Sequence, residues 1–136
     1  MKEYNIIIGS KRSEINKIED FLSKVNVDFG LNEEQLINFQ IAVSEALINA
    51  IVHGNKESND KKVNVKISHN TEKLIVAIKD EGIGFTPEMV PDPTSNENIL
   101  KEHGRGIFII KTLCDEYKCI PSETGTEAIL IIFKKQ

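Results

Sequence analysis

Several features that usually announce a function are missing from this sequence. Its 17 lysines and arginines are outnumbered by 21 acidic residues, for a formal net charge of −4, and they are spread along the chain rather than gathered. Without a basic patch, direct binding to nucleic acid or to an anionic membrane surface is set aside as the main activity. No apolar run approaches the roughly 20 residues that cross a bilayer. The opening MKEYNIIIGSKRSE holds too short an apolar stretch for a signal peptide. A cytoplasmic protein with no membrane contact is therefore expected. Cys114 and Cys119 are the only cysteines, and neither has zinc-type spacing to other ligand residues. In a reducing compartment they read as two part-buried thiols without a role. Two common phosphate-binding signatures are absent as well: no G-x-x-x-x-G-K-[ST] occurs, and no G-x-G-x-x-G is completed. There is no repeat or low-complexity segment.

What is present is one domain's worth of globular chain. The 136 residues are 40% hydrophobic and 28% charged, enough to enclose a core but too few for a second ordinary domain, so residues 1–136 read as one domain. Tyr4 to Ile8 reads as a strand ending at Gly9. Ser13 to Val25 has Ile15, Ile18, Phe21, Leu22 and Val25 at helical spacing behind a Ser cap. A second helix is expected after the cap residue Asn32, with Glu33 and Glu34 at its positive end, running to about His53, where Gly54 and Asn55 stop it. Val63, Val65 and Ile67 alternate with polar residues, and with Leu74 to Lys79 they form a hairpin. The stretch beginning at Asp80, DEGIGFTPEMVPDPTSNENILKEHGRG, holds three of the four prolines and half of the eight glycines. A connection of that length inside a compact domain is usually functional. A helix from Gly106 to Leu113 and closing strands at Tyr117 to Ile120 and Glu127 to Phe133 complete the order. Helices and strands do not alternate one by one. A two-layer α/β sandwich follows, with a mixed, mostly antiparallel sheet and helices on one face.

Three stretches carry chemistry. In SEALINAIVHG, residues 44–54, the polar residues Glu45, Asn49 and His53 recur every four positions on an otherwise apolar helix, so their tips share one face. Buried polar groups need partners. Glu45 and Asn49 are either joined by internal hydrogen bonds or complete a site, with Asn49 as an oxygen ligand of Mg²⁺ and Glu45 as proton acceptor. DEGIGF, residues 80–85, follows a strand: Gly82 and Gly84 allow close backbone approach, and Asp80 is a fixed acceptor suited to an exocyclic amino group such as adenine's. The bland alternative is an ordinary turn. In GRGIFII, residues 104–110, two glycines open a helix, where bare N–H groups and the helix dipole favour an anion and Arg105 adds charge.

In this order the three resemble the N, G1 and G2 boxes of the histidine-kinase-like (GHKL) ATPase superfamily, which includes gyrase, heat-shock chaperone ATPases, mismatch-repair proteins and sensor kinases. Within it, the short chain most resembles the bacterial anti-sigma factor serine/threonine kinases. The resemblance implies a Bergerat-type ATP-binding fold and the use of ATP with Mg²⁺. It implies that Asn49 holds Mg²⁺ against the phosphates and Glu45 is the general base. It gives Asp80 the adenine amino group, with Gly82 and Gly84 shaping that wall and Thr126 standing behind the adenine. It makes the segment from about Pro87 to His103 an ATP lid, with Gly104 and Gly106 meeting the phosphates and Arg105 touching the γ-phosphate or a partner. The implied partners are a sigma factor and a STAS-type anti-anti-sigma protein whose serine is phosphorylated, and homodimers are usual in the family. His53 is equally an ordinary helix-end histidine. The competing reading is an ATP-gated protein-binding module without catalysis; Glu45 favours the enzyme, because a switch needs the metal ligand but not the base.

Overall fold

The structure is a computed structural model that describes residues 1–82 and 97–134. Its elements are β1 (Lys2–Gly9), α1 (Ile15–Phe29), α2 (Glu33–Ile48), which runs on as a π-helical turn (Asn49–Gly54), β2 (Lys62–His69), β3 (Lys73–Lys79), α3 (Glu97–Leu113), β4 (Glu116–Ser122) and β5 (Gly125–Phe133). The sheet order is β1-β2-β3-β5-β4. Every neighbouring pair is antiparallel, so the sheet expected to be mixed has no parallel pair among the described residues.

Strand alternation sorts the two sheet faces. Val63, Val65 and Ile67 of β2 are fully enclosed, as are Leu74 and Val76 of β3, while Asn64 and Lys66 between them face out. The inward rows share one core with Ile18, Leu22 and Phe29 of α1, Phe39, Val43 and Leu47 of α2, and Ile110 of α3. This is the two-layer sandwich. Each large side chain so enclosed contributes about 1.5–3 kcal/mol.

Local chemistry accounts for most element ends. Asn32 caps α2 through a complete capping box: its Oδ1 accepts the Gln35 N–H at 2.8 Å, and Gln35 Oε1 accepts the Asn32 N–H at 3.2 Å. Gly30, at φ 93°, ends α1 in the left-handed conformation that other residues resist. The expected Ser13 cap is corrected. A 3₁₀ turn over Arg12–Glu14 precedes α1, and the Glu14 carboxylate, not Ser13, accepts the Gly9 N–H. Hydrogen bonding to Lys17 holds the Glu14 carboxyl below its usual range.

The start expected for the third helix is also corrected. Among the described residues it already runs over Glu97–Leu113, so Gly104 and Gly106 lie inside it rather than opening it. An interior glycine costs about 1 kcal/mol relative to alanine, which is why a glycine pair reads as a helix boundary. Close approach keeps Gly106 here: a Cβ on it would stand 3.1 Å from Glu45 Oε2 and 3.5 Å from Asn49 Oδ1.

By length and composition the 22 residues Glu33–Gly54, whose most apolar 18-residue stretch has mean hydropathy 1.3, could cross a membrane. Their apolar stripe is instead spent inside the domain, where α2 touches α1, α3, β3 and β5.

Candidate nucleotide site

The inward rows of the sheet set the floor of a cavity. Ile78, Ala128 and Cys119 are directly paired across β3, β5 and β4, and Tyr117 stands two residues along β4 on the same face. All four line a space of about 150 Å³, room for a purine base. Its roof comes from Ala46, Asn49, Ala50 and His53 of α2 and its continuation, together with Ile107 and Lys111 of α3.

The helix does not stop at His53 with ordinary geometry. The Asn55 N–H reaches the Ala50 carbonyl five residues back at 2.8 Å, closing a π turn over Asn49–Gly54. Such turns widen a helix by one residue and recur at functional sites. Here the turn carries Asn49, His53 and Gly54 onto the cavity together.

Asp80 lines the same cavity. It extends the β3–β5 ladder by one step, its N–H bonding the Thr126 carbonyl at 3.0 Å. Its Oδ1 accepts the Gly82 N–H at 2.9 Å and the Thr126 N–H at 3.0 Å. Burial pushes its carboxyl above the usual aspartate range, against the pull of these two N–H bonds and of Lys79 and Lys61. Two glycines make room for it. A Cβ on Gly54 would lie 2.2 Å from Asp80 Oδ2, and one on Gly125, which sits at φ 137°, would lie 1.9 Å from the Asp80 carbonyl oxygen.

Glu45 is not among the lining residues but stands one helical turn from Asn49, which is. Asn49 lines the cavity, and Glu45 stands beside it against the bare Cα of Gly106. Among the described residues no cluster of three His, Cys, Asp or Glu side chains forms a cage for a resident metal ion. One carboxamide oxygen next to a carboxylate suits Mg²⁺ that arrives already held by a substrate's phosphates.

The expected residues are therefore sorted by the fold. Asn49, Asp80 and Thr126 share the cavity, Gly82 bonds Asp80, and Gly106 abuts Glu45 and Asn49. Gly104 and Arg105 are exposed and are not among the cavity's lining residues, and they lie inside α3 rather than at its start as expected. Gly84 and most of the expected lid lie outside the described residues. The sequence reading missed Gly54, Lys111, Tyr117, Cys119 and Gly125. Tyr117 and Cys119 alternate in a strand, the one available signal that both face inward. Desolvation raises both groups above their usual pKa values, and it pushes Cys114 up to about 12.

The model of the histidine kinase-like ATPase domain family matches residues 9–132. The serine-protein kinase RsbW of Staphylococcus aureus strain MSSA476 is 32% identical over 122 residues, which are 85% of this chain and 77% of that one. The same kinase from strain JH9 is 30% identical over the same share. The solved RsbU and RsbW domains of a Mycobacterium tuberculosis protein superpose at a TM-score of 0.72 and 14% identity. That match covers 100% of this chain, which spans only 34% of that structure. The mycobacterial sensor histidine kinase MprB superposes at 0.54 and 15% identity over 97% of each chain. At these identities the two structures speak for the fold alone.

Proposed function

The chain belongs to the histidine kinase-like ATPase family, and from that premise we propose that it is an ATP-dependent protein serine kinase acting as an anti-sigma factor. It sequesters a sigma factor and phosphorylates a serine of a STAS-type anti-anti-sigma protein. Its similarity to the serine-protein kinase RsbW over most of both chains supports this activity. The observation that carries the reading is one cavity lined by both Asp80, an amino-group acceptor, and Asn49, with Glu45 next to Asn49 at Gly106.

In this reading the adenine lies on the floor of Ile78, Ala128 and Cys119 and gives its amino hydrogen to Asp80, with Gly82 and Thr126 holding that carboxylate. Asn49 is the protein's oxygen ligand for the Mg²⁺ that accompanies the phosphates. The metal, when bound, neutralises charge on the transferring group. Glu45 accepts the proton of the attacking serine hydroxyl, which makes the oxygen a better nucleophile as it bonds to the γ-phosphorus while the bond from that phosphorus to the β,γ-bridging oxygen breaks and ADP leaves. Gly106 leaves space for that approach, Arg105 supplies charge at the γ-phosphate or towards a partner, and Gly104 has no assigned contact. The protein works in the cytoplasm as one domain over residues 1–136, and a homodimer is the assembly expected of such kinases.

The test separates binding from transfer. Glu45→Ala keeps Mg-ATP affinity while phosphate transfer to the partner serine falls by about 10²-fold or more, the usual worth of a general base. Undiminished transfer by this variant would remove Glu45 from the mechanism.

A further inference from the structure

Asn55, next after the π turn, is the most deeply enclosed of the buried polar residues, at 0% exposure. It contributes no atom to the cavity lining. Its side chain uses both donors and its acceptor. Nδ2 donates to the Lys62 carbonyl at 3.0 Å and to Ser10 Oγ at 2.9 Å, and Oδ1 accepts the Glu81 N–H at 2.7 Å. Ser10 Oγ passes its own proton to the Lys61 carbonyl at 2.6 Å, which fixes it as the acceptor towards Asn55. Donor and acceptor roles thus agree around the whole network, and the amide has one orientation.

Three segments meet at this side chain: the end of β1, the start of β2 and the turn after β3. Its backbone N–H closes the π turn that carries Asn49. Glu81, whose N–H it holds, directly follows Asp80. A second strut runs beside it, because the Glu81 carboxylate accepts the Lys62 N–H. The clearance around Asp80 is small: a Cβ on Gly82 would lie 2.0 Å from the Gly54 carbonyl oxygen. A shift of a few tenths of an ångström in the 80–82 turn would therefore move the acceptor relative to the cavity wall.

We propose that Asn55 is a positioning residue for adenine recognition: it ties the π turn bearing Asn49 to the peptide that follows Asp80, and so sets the distance between the two ends of the nucleotide. This rests on the nucleotide-site reading above. Asn55 touches no substrate. Its effect appears in which base is accepted rather than in whether the protein folds.

The experiment compares ATP with inosine triphosphate, which carries an oxygen where adenine has its amino group. A site built to accept a substrate N–H rejects an analogue lacking it by a large factor. The ratio of the two dissociation constants is measured for the wild type, Asn55→Ala and Asn32→Ala, the last a cap deletion that destabilises the far end of α2. Asn55→Ala is expected to lower the ratio by about tenfold or more, while Asn32→Ala leaves it unchanged. Parallel weakening of both nucleotides by Asn55→Ala, with the ratio kept, overturns the proposal. If Asn55→Ala does not fold, amide exchange in the wild type decides. The Glu81 N–H is expected to be protected, and rapid exchange at that amide overturns the proposal. A wild type with no preference for ATP would instead defeat the adenine reading itself.

Discussion

Asp80 and Gly54 show how one atom decides the site. The Asp80 carboxylate is pinned through Oδ1 by two N–H groups, so it cannot swing away from a new neighbour. A methyl group on Gly54, 2.2 Å from Oδ2, must move either the aspartate or the π turn. Gly54→Ala is therefore expected to cost about 1–3 kcal/mol in stability, the range for overpacking, and to weaken ATP binding more than it lowers the melting point. Calorimetric titration beside thermal melting checks both. The raised pKa of Asp80 gives a second prediction. In the proposed role the Asp80 carboxylate is a stronger acceptor for the adenine amino hydrogen than its neutral acid, so affinity is greatest above the folded-state pKa and falls as pH drops through it. Because that pKa is raised, the loss begins at a higher pH than an ordinary aspartate would give. Binding isotherms across the acid range should show this step in the wild type and not in Asp80→Asn.

At the level of the elements, α2 is the framework of the site, since it carries Glu45 and hands on to the π turn that carries Asn49. Asn32→Ala removes its capping box and is expected to cost about 1 kcal/mol in denaturant unfolding, leaving the cavity at the other end of the helix intact. This end of the helix was legible in the sequence, because Asn32, Glu33, Glu34 and the apolar spacing behind them act locally. The alternation in β2 was legible for the same reason. The place of Gly104 and Gly106 inside α3 was not: both have the local preference of a boundary, and the reason for Gly106 lies across the helical layer, at Glu45 and Asn49. The π turn was equally hidden, because the Asn55 side chain that anchors its end bonds to Ser10 and Glu81, far off in sequence, as well as to the nearby Lys62. Tyr117 and Cys119 became floor residues only when β4 paired with β5 in one register.

On the scale of the whole molecule, the antiparallel order β1-β2-β3-β5-β4 places β3 and β5 side by side in the sheet. Asp80 and Thr126, 46 residues apart, thereby become hydrogen-bonded neighbours at one strand end. The helical layer then roofs that end with Asn49 and His53 from the π turn and Ile107 and Lys111 from α3. The motif residues could be named from the sequence, but their convergence depends on strand order. If the cavity binds nucleotide, the domain and its ligand melt as one thermodynamic unit. A ligand at 100 times its dissociation constant adds about 2.7 kcal/mol to the folded state. The decisive measurement is the melting temperature of the wild type, Asn49→Ala and Asp80→Ala with and without saturating Mg-ATP. A rise of several degrees is expected in the wild type and is lost in both variants. No rise in the wild type, or an equal rise in all three, would contradict the assignment of this cavity to ATP.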